Sequence, residues 1–447
     1  MNDKKTGLTR AIARFIVNTD ANDIPPEVYE HAKVAFMDWL GVIMAGKDDP
    51  LVEKLIHYSD LMGGNEHATI LGHGIKKSLR DAALINGAAS HALDFDDSSM
   101  AFLGHPSVTM FPAFLALSEF NGKSGMDFLY SYIMALKVGC AIGTCAGMEH
   151  YMSGWHSTST MGHFASATGC SRLLGLNEEQ TLYALGIAGT QASGLKISFG
   201  TMCKPFHAGK AGQSGMMAAL LALDGFTAAQ DVLEGPSGYF QVAKGHVDEE
   251  VINNLGKTWD IETLAQKYHA SCHATHSPIE AALAITQKEN ITCKDIKSIA
   301  IDAAKIATDA AGKPVAKTGL EGKFSISYCV ANALIRGNTG MQAFTKEKVT
   351  DPEVNELMGR TTLTTDETLS SLESKVTIQT NDGRVFTANA DIMNDIPSLE
   401  MKKVKITDKF IDLASPVLGE SKAKTIVESI LTLDKMGSMK SFVDMLG

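Results

Sequence analysis

Residues 78–107 read SLRDAALINGAASHALDFDDSSMAFLGHPS. The opening SLRDAALINGAAS is rich in Ala and Leu and predicts a closely packed helix. The rest crowds His91, Asp94, Asp96, Asp97 and His105 into fifteen positions. Continued through Asp97, the helix would put His91, Asp94 and Ser98 on one face, since residues three and four apart are neighbours there. Asp97 would lie near that face and Asp96 would point away from it. Gly104-His105-Pro106 then breaks the chain, because Pro disfavours helical backbone in the residue before it. A carboxylate on a buried helix end beside a loop histidine orients the imidazole and sets its charge. The same residue types also suit a helix cap and a solvated acidic turn.

Outward from this stretch, 447 residues with 45% hydrophobic content support two or three domain-sized units with a sizeable core. The many Gly, Ala and Met favour close helix packing. A net charge of −11 excludes an overall basic surface for nucleic acid or anionic membrane, but not a local cationic pocket for a small anion. The seven Cys form no CxxC pair and read as buried thiols in a reducing compartment. The N-terminal MNDKKTGLTRAIARFIVN reads as an amphipathic helix rather than a signal peptide. No run of 18 apolar residues occurs, so no membrane span and a cytoplasmic location are expected.

Helices are predicted at Thr6–Asn18, Pro25–Ala45, Leu51–Met62, Pro106–Ser118 and Gly125–Gly147. Another, Asn177–Gln191, opens on an Asn cap. Near Val247 the texture changes. Lys294–Ala304 reads as a strand, Lys375–Thr380 and Val385–Ala390 as a hairpin across Asn381-Asp382-Gly383, and ISYCVANALIRG as a helix between them. From Thr407 the chain reads as helical again. The expected architecture is mainly α. Residues 1–262 form a large helical domain, 263–399 a smaller α+β lid, and 400–447 helices that return to the first domain.

Polar islands interrupt the apolar helices. After His91–Ser107 come HYMSGWHSTSTMGHF (150–164) and FGTMCKPFHAGKAGQSG (199–215). Helix ends in a bundle collect at one rim, which makes the islands one candidate site. Lys204 and His207 open a helix three residues apart, where the helix N-terminus adds partial positive charge. That suits a carboxylate. Lys204, His105 and His156 together suit a substrate with two or three carboxylates. His105 and His156 supply the acid and base such a site needs, with Asp94 available to orient one of them. The third island's glycines are spaced for helix packing, and no phosphate-binding glycine pattern is present.

HALDFDDSS…GHPS, GWHSTSTMGHFASA, KPFHAGKAGQSGMMAALLALDGF and KYHASCHATHSPIEAA, in this order, resemble the MmgE/PrpD family over nearly the whole chain. That family includes 2-methylcitrate dehydratase, cis-aconitate decarboxylase and iminodisuccinate epimerase. The resemblance implies a helical domain with a smaller lid, an active site between them, a homodimer, and no metal or organic cofactor. It carries a decarboxylase-type site onto Asp94, Ser98, His105, His156 and Lys204, with Lys267 and His276 from the lid motif. Two features depart from the decarboxylase pattern. No tyrosine stands in AAKIATDAAGKP (303–314), and the lid motif reads Lys323-Phe324-Ser325.

The expected function is therefore acid/base chemistry alpha to a carboxylate of a small di- or tricarboxylic acid, by a lyase that dehydrates or decarboxylates. An epimerase of an amino-dicarboxylate uses the same groups. His91, Asp94, Asp96 and Asp97, with His105, also have the ligand types of a metal-dependent hydrolase. A helical scaffold with polar loops is the non-catalytic reading. Ser98, His207, Lys267 and His276 are expected to bind substrate.

Overall fold

The computed structural model describes residues 7–370 and 372–446. The fold is mainly α with small sheets. It comprises two compact units, residues 1–266 with 402–447, and residues 267–401.

The first unit opens with helices α1 (Leu8–Asn18), α2 (Pro26–Gly46) and α3 (Pro50–Met62). The expected start of α1 at Thr6 lies outside the described residues. Pro26 sits in the first turn of α2, where a missing N–H costs nothing. A short hairpin follows, β1 (Ala68–Ile70) with β2 (Ile75–Lys77). Then come α4 (Leu79–His91), α5 (Ser107–Asn121), α6 (Gly125–Met152), α7 (Ser157–Leu174), α8 (Glu178–Gly189) and α9 (Cys203–Leu223). Asn177 caps α8 reciprocally with Gln180. The helices α5 and α6 are buried nearly all round, as an apolar helix at the centre of a bundle must be. By length and composition α6 could cross a membrane, but 94% of its most apolar window is packed inside the protein, which makes it a core helix. Phe36 of α2 meets Phe111, Phe128 and, at 5.4 Å, Phe442 of the last helix, so the C-terminal segment shares the first unit's core. Of the seven free cysteines, Cys140, Cys145, Cys170 and Cys329 are buried, whereas Cys203 is exposed and Cys272 and Cys293 are intermediate.

Helix α4 packs most extensively on α9, and α9 on α7. Glycines bring the α4 and α9 backbones together. A methyl group on Gly209 would lie 2.1 Å from the Leu84 carbonyl oxygen, and one on Gly87 would lie 2.5 Å from the Gly209 Cα. Backbone atoms cannot step aside, so this clash exceeds the roughly 1 kcal/mol that Ala gains over Gly in a helix. Gly209→Ala should therefore lower unfolding free energy by about 1–3 kcal/mol in urea titration. Equal or greater stability would mean that the two helices can separate freely.

The second unit holds a four-stranded sheet in the order β4-β3-β5-β6. Here β3 is Ile296–Ala304, β4 Thr361–Asp366, β5 Ser374–Thr380 and β6 Val385–Ala390. Strands β5 and β6 pair antiparallel as the expected hairpin, and β3 lies antiparallel to β5. The parallel partner of β3, β4, was not expected from the sequence. Helix Ile326–Arg336 connects within this unit, as its sequence predicts.

Candidate active site

The decisive stretch does not continue as a helix. Helix α4 ends at His91, and Asp94 takes a left-handed conformation (φ 53°), which turns the chain sharply. Asp is among the few non-glycine residues that tolerate this geometry. Asp94 and Ser98 therefore do not share a helix face with His91. Ser98 instead pairs its backbone with Ala265, at 2.9 and 3.0 Å. Nor does Asp96 point away: it is fully buried and is the acceptor at the centre of the cluster. The turn is not a solvated acidic loop either, since Asp97 is buried beside Ser107 and Tyr132.

Asp96 accepts from one imidazole and lies against a second. His91 Nδ1 lies 2.9 Å from Asp96 Oδ1, and His105 Nδ1 lies 3.1 Å from Asp96 Oδ2. His105 Nδ1 is also 2.9 Å from the Asp97 carbonyl oxygen. Both neighbours of that nitrogen are acceptors, so it carries the proton. Neutral His105 then presents a lone pair at Nε2, and protonated His105 presents an N–H there. The backbone N–H of His105 donates to Thr158 Oγ1 of α7 at 3.1 Å, which ties the first island to the second. Burial alone would raise the Asp96 carboxyl. The two imidazoles outweigh that and hold it well below the usual carboxylate range. Burial pushes His91 down to about 4 despite Asp96, so His91 serves as a neutral donor. Its Nε2 is buried without a hydrogen-bond partner.

The second and third islands meet at His156 and His207. The segment around Gly154–His156 runs against Gly194–Lys196, and His156 N donates to Gly194 O at 2.9 Å. This places His156 at the N-terminus of α7 with Nδ1 3.0 Å from His207 Nδ1. One of the two nitrogens donates to the other. Burial first, then the charges of His91, Lys204, His207 and His105, push His156 far below the ordinary imidazole range. Burial also lowers His207. Phe199 sets its ring edge-on to His156 at 5.0 Å. Lys204, in the first turn of α9, reaches Asp94 Oδ1 at 2.7 Å. The same oxygen lies 3.7 Å from His105 Nε2. Asp94 thus stands between the ammonium and the exposed side of His105.

The structure brings Asp94, His105, His156, Lys204 and His207 together, as the island reading expects. It adds Asp96, which helical periodicity turned away, and gives His91 a role as its donor. A Leu-Asp-Phe-Asp-Asp-Ser-Ser run, rich in residues that favour turns, was the available signal that the helix stops. Lys267 and His276 belong to the second unit and are each 2% exposed. His276 Nε2 donates to Ser271 O at 3.3 Å, and its ring lies 4.8 Å from those of His269 and His273. Burial, followed by the charges of His269, His273 and Lys267, keeps His276 well below the usual imidazole range.

His91, Asp94, Asp96 and His105 each offer one metal-ligating atom, all within 4.8 Å of one another. His91 Nδ1 donates to Asp96 and His105 Nδ1 to the Asp97 carbonyl, so ligation through either would require breaking that bond. Metal analysis of the purified protein decides whether an ion resides there.

Buried neutral histidines have a consequence for stability. Burial pushes His31, His91 and His163 each down to about 4 in the folded chain. Free histidine titrates near 6.5. Between those values the unfolded chain binds protons that the folded chain refuses, so stability falls as pH drops from about 6.5 to 4. Each residue steepens the decline by up to about 1.4 kcal/mol per pH unit. Urea midpoints at pH 7.5, 6 and 5 should decline in that order. A flat profile over this range would show that these imidazoles become charged without cost.

Residues 10–251 match the MmgE/PrpD N-terminal domain and residues 269–435 the MmgE/PrpD C-terminal domain. Cis-aconitate decarboxylase of Aspergillus terreus is 27% identical over 477 residues, covering 100% of this chain and 97% of its own. Cis-aconitate decarboxylase of Mus musculus is 26% identical over 443 residues, covering 95% and 90%. The Homo sapiens protein of the same name is 23% identical over 446 residues, covering 96% and 92%. With both domain types matched in order along the chain, this protein is an enzyme of the MmgE/PrpD family.

Proposed function

We propose that this chain is a lyase that decarboxylates cis-aconitate or a closely related tricarboxylic acid, with protein side chains alone handling the protons. The carrying observation is the Asp96–His105 pair, whose Nε2 is turned away from the carboxylate. In cis-aconitate one carboxylate sits on a methylene next to the carbon–carbon double bond. When the bond to that carboxylate breaks, its electron pair forms a new double bond to the methylene. The old double-bond pair then takes one proton at the carbon beside another carboxylate. Carbon dioxide and one proton close the balance, so one acid suffices.

His105 is that acid. Its ring rests against the Asp96 carboxylate and delivers the proton from Nε2. His156, buried and close to Lys204, stays neutral and hydrogen-bonds substrate. This asymmetry supports a lyase over an epimerase, which needs two groups that exchange protonation states on opposite faces of one carbon. The relatives named above, cis-aconitate decarboxylases, support the same choice.

Lys204, with the N-terminus of α9 behind it, binds a substrate carboxylate and shares its ammonium with Asp94. Lys204→Ala should weaken binding of a tricarboxylate inhibitor by about 1.5–3 kcal/mol, the worth of a charged hydrogen bond. An unchanged Kd in calorimetry would remove Lys204 from the binding role. Incubating the purified enzyme with cis-aconitate and with hydroxylated tricarboxylates tests the reaction. Carbon dioxide released from cis-aconitate supports decarboxylation. Water loss from a hydroxy acid without carbon dioxide would make the enzyme a dehydratase.

A further inference from the structure

We infer that the helix Leu399–Leu418 sets the position of the Asp94–Asp96 turn through two buried lysines, Lys409 and Lys402, which act as positioning residues. This rests on the reading of Asp96 and His105 as the proton-delivering pair.

The two lysines are seven residues apart, about two helical turns, and so lie on one face. Lys402 is 0% exposed and Lys409 8%, values lysine rarely shows. Lys409 Nζ donates to the Phe95 carbonyl at 2.7 Å and pairs with Asp38 of α2 at 2.6 Å. It also lies 3.8 Å from the Phe95 ring centre. Lys402 Nζ donates at 3.0 Å to both the Glu262 and Leu264 carbonyls.

The acceptors are what matter. The peptide planes held are Phe95–Asp96 and Leu264–Ala265. A peptide unit is rigid, so fixing the Phe95 oxygen fixes the Asp96 N and Cα in the same plane. Fixing the Leu264 oxygen does the same for Ala265, which pairs with Ser98 on the other side of the turn. One helix face therefore grips the acidic turn directly, next to Asp96, and grips its backbone partner as well. Asp94 stays in a left-handed conformation only while its surroundings hold it there. Buried charge is costly, and an apolar side chain would fill the same space. What lysine adds is directed N–H groups for carbonyl oxygens.

The test is the double variant Asp38→Leu/Lys409→Met, which removes both charges together. Asp38→Asn serves as the comparison, since it retains Lys409 and its bond to Phe95. The readouts are the His105 Nδ1–H signal in nitrogen-15 spectra of histidine-labelled protein, and kcat and KM with cis-aconitate. The expected result is a shifted or lost His105 signal in the folded double variant, kcat down about 10–100-fold with KM within a few-fold, and a signal retained in Asp38→Asn. An unshifted His105 signal with kcat within two-fold of wild type would overturn the inference. Should the double variant not fold, Lys402→Met is measured the same way, and an unshifted signal with unchanged kcat again overturns it. The spectrum does not depend on turnover. A shifted signal in an enzyme whose wild type never turns over cis-aconitate would uphold the positioning role and remove only the decarboxylase reading.

Discussion

His105→Gln should lower kcat on cis-aconitate by about 10²–10⁴-fold, the usual loss when a positioned acid or base is removed. The geometry makes His105 the group with the most to lose. Its Nδ1 is committed to Asp96 and to the Asp97 carbonyl, which leaves Nε2 as the only ring atom able to deliver a proton. Glutamine keeps the size and some hydrogen bonding but cannot carry the transferable proton. KM should change little, because the proposed carboxylate contact is Lys204 and not His105. His156→Gln should show the reverse pattern, a larger change in KM than in kcat, since His156 is held neutral. Steady-state kinetics on folded variants decide it. Turnover within a few-fold of wild type for His105→Gln would remove it from the chemistry.

Asp96→Asn is expected to be about as damaging, with kcat down by as much as roughly 10⁴-fold, the loss known for replacing the buried aspartate of an Asp-His pair elsewhere. Two physical effects combine. Asparagine removes the anion against which the His105 ring rests. Its amide also offers N–H groups to an Nδ1 atom that must itself donate, so one ring has to change tautomer or turn. Loss of the anion removes the partner that holds the His105 ring, so kcat should fall in a variant that still folds. Near-normal kcat in folded Asp96→Asn would show that Asp96 only fills space.

Much of this could be read from local sequence. The apolar run of α6, the Asn177 cap and the Asn381-Asp382-Gly383 hairpin are encoded within a few residues of each other, where periodicity and turn chemistry act. The resemblance to MmgE/PrpD proteins also rests on contiguous segments. What escaped was decided by distant partners. Asp96 faces away only on a helix that runs on to Asp97, six residues past its real end at His91. Its true surroundings depend on His105, nine residues later. The pairing of β3 with β4 spans more than fifty residues of chain and leaves no local mark. The hairpin β1–β2 is three residues per strand, too short to alternate visibly. Lys402 and Lys409 look like ordinary solvent-facing lysines of an amphipathic helix. Their burial follows from which face of that helix meets the first unit's core.

The most direct measurement follows cis-aconitate and purified enzyme in D2O by proton NMR, with His105→Gln run alongside. The expected result is loss of substrate with two new vinylic proton signals at full intensity. One deuteron should enter the methylene beside the distal carboxylate, and His105→Gln should form product at least about 100-fold more slowly. Deuterium appearing in recovered substrate without product, or product formed at the wild-type rate by His105→Gln, would contradict decarboxylation with proton delivery from the Asp96–His105 pair.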